Sequence, residues 1–161
     1  MILKALRLVF RNPSRAWLLA RMAAWIVVLS ALAKGLSLPR ALRIVSTEVR
    51  RNGDVAVDPV QLSTAIDAVL GANFLVFKPS CWKRATVLHR YFALSGVATT
   101  IRFGVTREPN SELKGHAWLE LDGEPILESS PPAYTVTYSF PSNEPFNVDL
   151  AVMAEHDQQR I

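Results

Sequence analysis

The one cysteine of the chain, Cys81, follows Pro79 and Ser80, a pair suited to the start of a helix. In a first helical turn the unpaired backbone N–H groups and the positive end of the helix dipole favour a thiolate, the form in which cysteine attacks a carbonyl carbon. Ala85, Leu88 and Phe92 follow at helical spacing, so the thiol closes an apolar stripe and points toward whatever that stripe packs on, most simply a sheet. The alternative is a buried, inert thiol, common for a free cysteine. A nucleophilic cysteine wants a base within hydrogen-bond reach. His89 lies on the same helix about 12 Å of rise away, too far to serve. His156 falls in a polar C-terminal stretch without periodicity. His116 sits near the start of the strand-like run GHAWLEL, in the sheet that the Cys helix faces, and is the candidate base.

A base of this kind is held by a third group. Asp122-Gly123 marks a hairpin, and the length of its loop decides which acid is available. A three-residue loop over 121–123 sets His116 opposite Glu128 on the same face, the two residues about 5 Å apart, and brings the carboxylate beside the imidazole. A two-residue loop sets His116 opposite Ser129 and turns Glu128 to the other face. Glu128 is then a solvated edge carboxylate. Asp122 is the rival acid, although a hairpin tip accounts for an Asp by turn chemistry alone.

These residues need helices before them and strands around them. Pro13-Ser14 opens a long helix to about residue 34, and a second helix follows from Pro39, with 41–51 keeping a helical pattern. Asn52-Gly53-Asp54 is a turn, and Asp58-Pro59 is an N-cap with proline at the first helical position of a helix ending near Gly71. After an apolar stretch over 74–77, the Cys helix runs over 81–95 and stops at Gly96. The period then changes to two, with strands over 99–106, 115–121, 125–129 and 134–140. The expected fold is α+β, N-terminal helices followed by a Cys-bearing helix packed on an antiparallel sheet. One domain covers 1–161, with a basic helical part over 1–51, a catalytic core over 57–141, and 142–161 unplaced.

Composition bounds the function. The chain has 161 residues, half of them hydrophobic and a fifth charged, enough apolar material for a core and too much for disorder. Residues 1–51 hold ten of the eighteen Lys and Arg against Glu48 alone, a net +9, while the remaining 110 residues hold eight bases and thirteen acids, a net −5. A basic head on an acidic body suggests an acidic partner or surface near the N-terminus. The run over 17–33 is apolar behind a basic flank, but Arg21 and Lys34 break and close it. It reads as a buried or docking helix more than as a membrane segment. A lone thiol fits a reducing cytosol. Without Cys-x-x-Cys or His-Glu-x-x-His, no metal and no cofactor is expected. Nucleic acid is not an expected partner either, since the basic residues interleave with apolar runs and not with aromatics on a strand face.

Three blocks, CWKRA from Cys81, SGVATTIRFGV from Ser95 and GHAWLELDG from Gly115, resemble the B proteins of lasso peptide biosynthesis. These are transglutaminase-like cysteine proteases that remove the leader from a precursor peptide, built on a transglutaminase-like, papain-like core. The resemblance covers residues 81 to about 130 and implies Cys81 as nucleophile, His116 as general base and Glu128 as the orienting acid, where the family usually has Asp. It implies that the Cys81 backbone N–H is an oxyanion donor. Arg84 matches the family's arginine, to contact substrate or to pair with an acid, and Trp118 either walls the substrate cleft or packs in the core. Residues 1–51 read as helices and not as the fused leader-recognition domain of many members, so the chain resembles the stand-alone peptidase half. The implied partners are the precursor leader peptide, a separate leader-recognition protein and an ATP-dependent lasso cyclase; the cytoplasm is the expected location, and membrane contact is not the favoured reading of the first helix. Amide formation or acyl transfer to an amine, and a non-catalytic peptide-binding module, are the competing readings.

Overall fold

The computed structural model describes residues 13–49, 58–72, 77, 80–107 and 113–141. Helices α1 (Pro13–Gly35), α2 (Leu38–Val45), α3 (Pro59–Leu70) and α4 (Cys81–Leu94) precede strands β1 (Thr100–Arg107), β2 (Leu113–Leu121), β3 (Glu124–Ile126) and β4 (Thr135–Phe140). The strands form one antiparallel sheet in the order β3-β2-β1-β4, and α4 lies against it, packed mainly on β2. This is the α+β arrangement that the change of period predicts.

Local chemistry sets the helix ends. Asp58 caps α3 by accepting from the Val60 N–H at 2.9 Å, with Pro59 in the first turn where its missing N–H costs nothing. At the end of α4, Gly96 turns left-handed (φ +82°) and lets the Val97 N–H reach back to the Phe92 carbonyl at 2.9 Å. Helix α2 is shorter than its sequence pattern, ending at Val45 rather than near residue 51. Ser46 is already extended (ψ 157°), and the run Ile44-Val45-Ser46-Thr47 is β-branched or hydroxylic, poor at continuing a helix. The expected turn over 52–54, most of the stretch 74–77 and the tail from 142 lie outside the described residues.

Besides a small cluster of Leu29, Ala41 and Val45 from α1 and α2, the core is one main cluster shared by helices and sheet. Met22, Ile26, Leu42, Leu62, Ile66, Leu88 and Ile101 are fully buried in it, each worth roughly 1.5–3 kcal/mol of transfer free energy. From β2 it takes Ala117 and Leu119. Helix α1 is apolar nearly all round and long enough to cross a membrane by length and composition alone. Its Met22, Ile26 and Leu29 are nevertheless core residues, while Trp17, Val27 and Val28 stand exposed. Arg90 of α4 binds the helices together: its guanidinium lies 3.9 Å over the Trp25 ring, and Nη1 donates to the Val45 carbonyl at the end of α2 at 2.7 Å.

Candidate active site

The β2–β3 hairpin has the two-residue loop. Asp122 and Gly123 both take positive φ (52° and 88°), the pairing of a tight primed turn, and Leu119, Glu120 and Leu121 face Ile126, Pro125 and Glu124. The three-residue loop, whose register alone would set Glu128 opposite His116, is not the one adopted. Continued, the observed register sets Glu128 opposite Ala117, on the wrong face. The chain does not continue it. Leu127 adopts φ +60°, β3 stops at Ile126 instead of running to 129, and the strand alternation is lost. Glu128 consequently swings round, and His116 Nε2 lies 3.0 Å from Glu128 Oε2. The pair that the sequence suggested is present, by a route the sequence did not suggest.

With Nε2 donating to Glu128, the lone pair of the imidazole is left on Nδ1, which is then the nitrogen free to take a proton. His116, with a quarter of its side chain exposed, is flanked by two rings. Trp118 stacks on it at 6.0 Å between centroids with 15° between planes, and Tyr134 lies 5.2 Å away. Trp118 is only 3% exposed, so it supports the imidazole from beneath more than it walls a cleft. Its Nε1 donates to Glu120 at 3.1 Å; Arg102 Nε donates to the other Glu120 oxygen at 2.7 Å, and Arg102 Nη1 to Ser139 at 2.7 Å. A chain of hydrogen bonds across β4, β1 and β2 therefore fixes the indole on which the histidine rests.

Gly104 faces His116 across the β1–β2 ladder. A Cβ there would come within 2.8 Å of Tyr134 Cβ, 3.0 Å of the Thr135 carbonyl and 3.0 Å of Trp118 Cη2. Only a residue without a side chain lets the three rings close up. Neither Tyr134 nor Gly104 stands out as a site residue in the sequence. Tyr134 reads there as the start of a strand, and the glycine as part of one.

Cys81 is the first residue of α4, partly buried against the main core cluster, with Ser80 at the N-cap making no side-chain capping bond. Because Ala117 and Leu119 are the β2 residues in the core with α4, His116 and Trp118 belong to the opposite face of the strand. Among the described residues no hydrogen bond joins Cys81 to His116. The connection between the first turns of α4 and the imidazole runs round the edge of the sheet beside short β3. Arg84, three residues after Cys81, places Nη1 3.8 Å from Glu128 Oε1 and 3.5 Å from the Leu127 carbonyl. The rest of its guanidinium is taken by α3, with Nε to Asp67 Oδ1 at 2.8 Å and Nη2 to Ser63 Oγ at 2.7 Å. Of its two expected uses, the pairing with an acid is the contact present.

The remaining histidine of the described residues plays no part. His89 is buried in α4, its Nδ1 2.9 Å from Thr99 Oγ1 and its ring edge-on to Phe140, and burial pushes its pKa down to about 4. Asp122 is exposed at the hairpin tip, where its left-handed backbone accounts for it. His156 lies outside the described residues.

Comparison with known proteins agrees with this architecture at the level of the family. Neither the curated proteins nor the solved structures gave a match. A family model of the transglutaminase-like superfamily matches residues 15–139, from the first turn of α1 to the end of β4, and so takes in the helices and every strand. The chain belongs to the transglutaminase-like superfamily.

Proposed function

We propose that this chain is a cysteine peptidase that removes the leader from a ribosomally made precursor during lasso peptide maturation. The superfamily includes cysteine peptidases and acyltransferases. The observation that carries the reading is the His116–Glu128 hydrogen bond, joined through Arg84 to the helix that begins with Cys81. The three sequence blocks that resemble the lasso B proteins narrow it to a leader peptidase.

In this mechanism the substrate-bound state brings the Cys81 thiol and His116 Nδ1 together round the β3 edge of the sheet, the thiol gives its proton to Nδ1, and the thiolate attacks the carbonyl carbon at the end of the leader. The oxyanion is met by the N–H of Cys81 at the open start of α4, where the first-turn donors have no intrahelical acceptor. Collapse breaks the C–N bond, the imidazolium returns the proton to the leaving amine, and a water, deprotonated by His116, hydrolyses the thioester. Glu128 holds the ring in the tautomer with hydrogen on Nε2 and balances the imidazolium. An amine in place of the water would give acyl or amide transfer from the same thioester, so the mass of the product decides between hydrolysis and transfer.

The partners belong to this proposal: the precursor, a separate leader-recognition protein, and an ATP-dependent cyclase acting on the freed core peptide, all in the cytoplasm. The exposed flank of α1, with Trp17, Val27 and Val28, and the groove of about 400 Å³ between α1 and α3 lined by Leu18, Val60 and Ala68 are the proposed seat of the recognition protein. The test is incubation with a precursor from the same gene cluster, with and without the recognition protein, read by mass. A single cleavage that adds one water and disappears with Cys81→Ala is expected. Intact precursor with the partner present would leave a peptide-binding module as the better description.

A further inference from the structure

We propose that Arg84 and Asp67 form a clamp that sets the position of Glu128, and through it the orientation of His116. Arg84 is then a positioning residue. The inference rests on the reading of Glu128 and His116 as acid and base, but its evidence is separate.

The turn that delivers Glu128 is not self-sufficient. Leu127 is a non-glycine residue at φ +60°, a conformation disfavoured for residues with a Cβ that persists only where its surroundings impose it. Without that turn the register would present Glu128 on the face away from His116. Something must therefore hold the chain at 127–128, and Arg84 contacts both residues, the Leu127 carbonyl at 3.5 Å and the Glu128 carboxylate at 3.8 Å, through Nη1.

What gives this nitrogen authority is the other side of the guanidinium. Asp67 takes it with both oxygens, at 2.8 Å to Nε and 3.4 Å to Nη2, and Ser63 accepts from Nη2 at 2.7 Å while itself donating to Asp67 at 3.3 Å. A planar fork gripped in this way cannot swivel, so Nη1 is a fixed positive donor pointing at the turn. Lysine, with one freely rotating ammonium, cannot grip α3 and the turn at once. Glu128 serves both partners at once: one carboxylate oxygen meets His116 and the other faces Arg84. Because Arg84 stands one turn beyond Cys81, the same contact ties the helix bearing the thiol to the acid.

The direct readout is the His116 Nε2–H resonance in 15N-labelled protein, which a hydrogen bond to Glu128 moves downfield and protects from exchange. It is expected in the wild type, lost in Glu128→Ala, lost in Arg84→Gln and weakened in Arg84→Lys and Asp67→Asn. A resonance that survives in Arg84→Gln overturns the clamp, even if that variant melts at lower temperature. Should Arg84→Gln fail to fold, Arg84→Lys and half-exposed Asp67→Asn carry the same test, and an unchanged resonance in both overturns it. Alkylation of Cys81 by iodoacetamide at neutral pH is run beside it. If His116→Ala leaves that rate unchanged the peptidase reading falls, while the resonance still decides the clamp. If both hold, Arg84→Gln slows alkylation as Glu128→Gln does, by roughly ten- to a hundredfold.

Discussion

Glu128 meets His116 at 3.0 Å although the strand register points it at the opposite face, and a single left-handed residue, Leu127, makes the difference. The pairing is thus a property of a turn and not of a ladder. It is accordingly sensitive to changes that leave the sheet intact.

If Glu128 orients the base, Glu128→Gln is expected to lower kcat for precursor cleavage by roughly a hundredfold with little change in KM, since the amide can still touch the ring but cannot balance an imidazolium. Glu128→Asp, one methylene shorter, is expected to fall between the two because it cannot span His116 and Arg84 together. Steady-state kinetics on the three proteins check the order.

Gly104→Ala puts a methyl group where three neighbouring atoms stand within 3.0 Å or less, two of them in Tyr134 and Trp118. The expected loss is about 1–3 kcal/mol in urea unfolding. A drop in activity larger than the loss of folded protein explains is expected as well, because the displaced rings are those flanking His116. Normal kinetics in the surviving folded fraction would show that the ring cluster does not set the imidazole.

The acid limb of the stability curve should carry the signature of His89. Its folded pKa, about 4, lies below the ordinary 6.5, so between these values the unfolded chain binds a proton that the folded chain refuses. Stability therefore falls as pH drops from about 6.5 and the loss from this group is complete near 4, on the order of 3 kcal/mol in all. His89→Asn removes the titration, and its stability should be flatter over that window even if lower at pH 7. Denaturant unfolding at half-unit pH steps measures both curves.

Two sides of α1 should answer mutation differently. Met22→Ala opens a cavity in the core and is expected to cost about 2–5 kcal/mol. Trp17→Glu, on a residue 65% exposed, is expected to stay within about 0.5 kcal/mol of the wild type. Removing residues 1–37 would take Met22, Ile26 and Leu29 out of the core, so exposed-face substitutions are the cleaner probe of partner binding.

Much of this architecture is legible in the sequence because it is written in local signals. Asp58-Pro59 announces α3, Gly96 ends α4, and the change from helical to twofold period at Thr99 separates helices from sheet. Cys81 and His116 stand out by residue type. What the sequence hides is long-range. The kink at Leu127 has no glycine or asparagine to betray it, since a leucine reaches positive φ only under tertiary constraint. Asp67 and Ser63 gain their role from a helix seventeen and twenty-one residues away in the chain. Tyr134 is brought over His116 by packing across Gly104, and α2 stops early because Ser46 and Thr47 prefer an extended backbone.

Helix α1 presents one flank to water while its other flank is built into the interior. Anything that seats on Trp17, Val27 and Val28 grips a structural beam of the fold. Such a ligand binds the folded chain and not the unfolded one, so occupancy must raise the melting temperature, and above Kd the rise follows the logarithm of the free ligand concentration. A thermal melt, which needs neither a precursor nor a turnover assay, is therefore a sufficient screen for the proposed recognition protein.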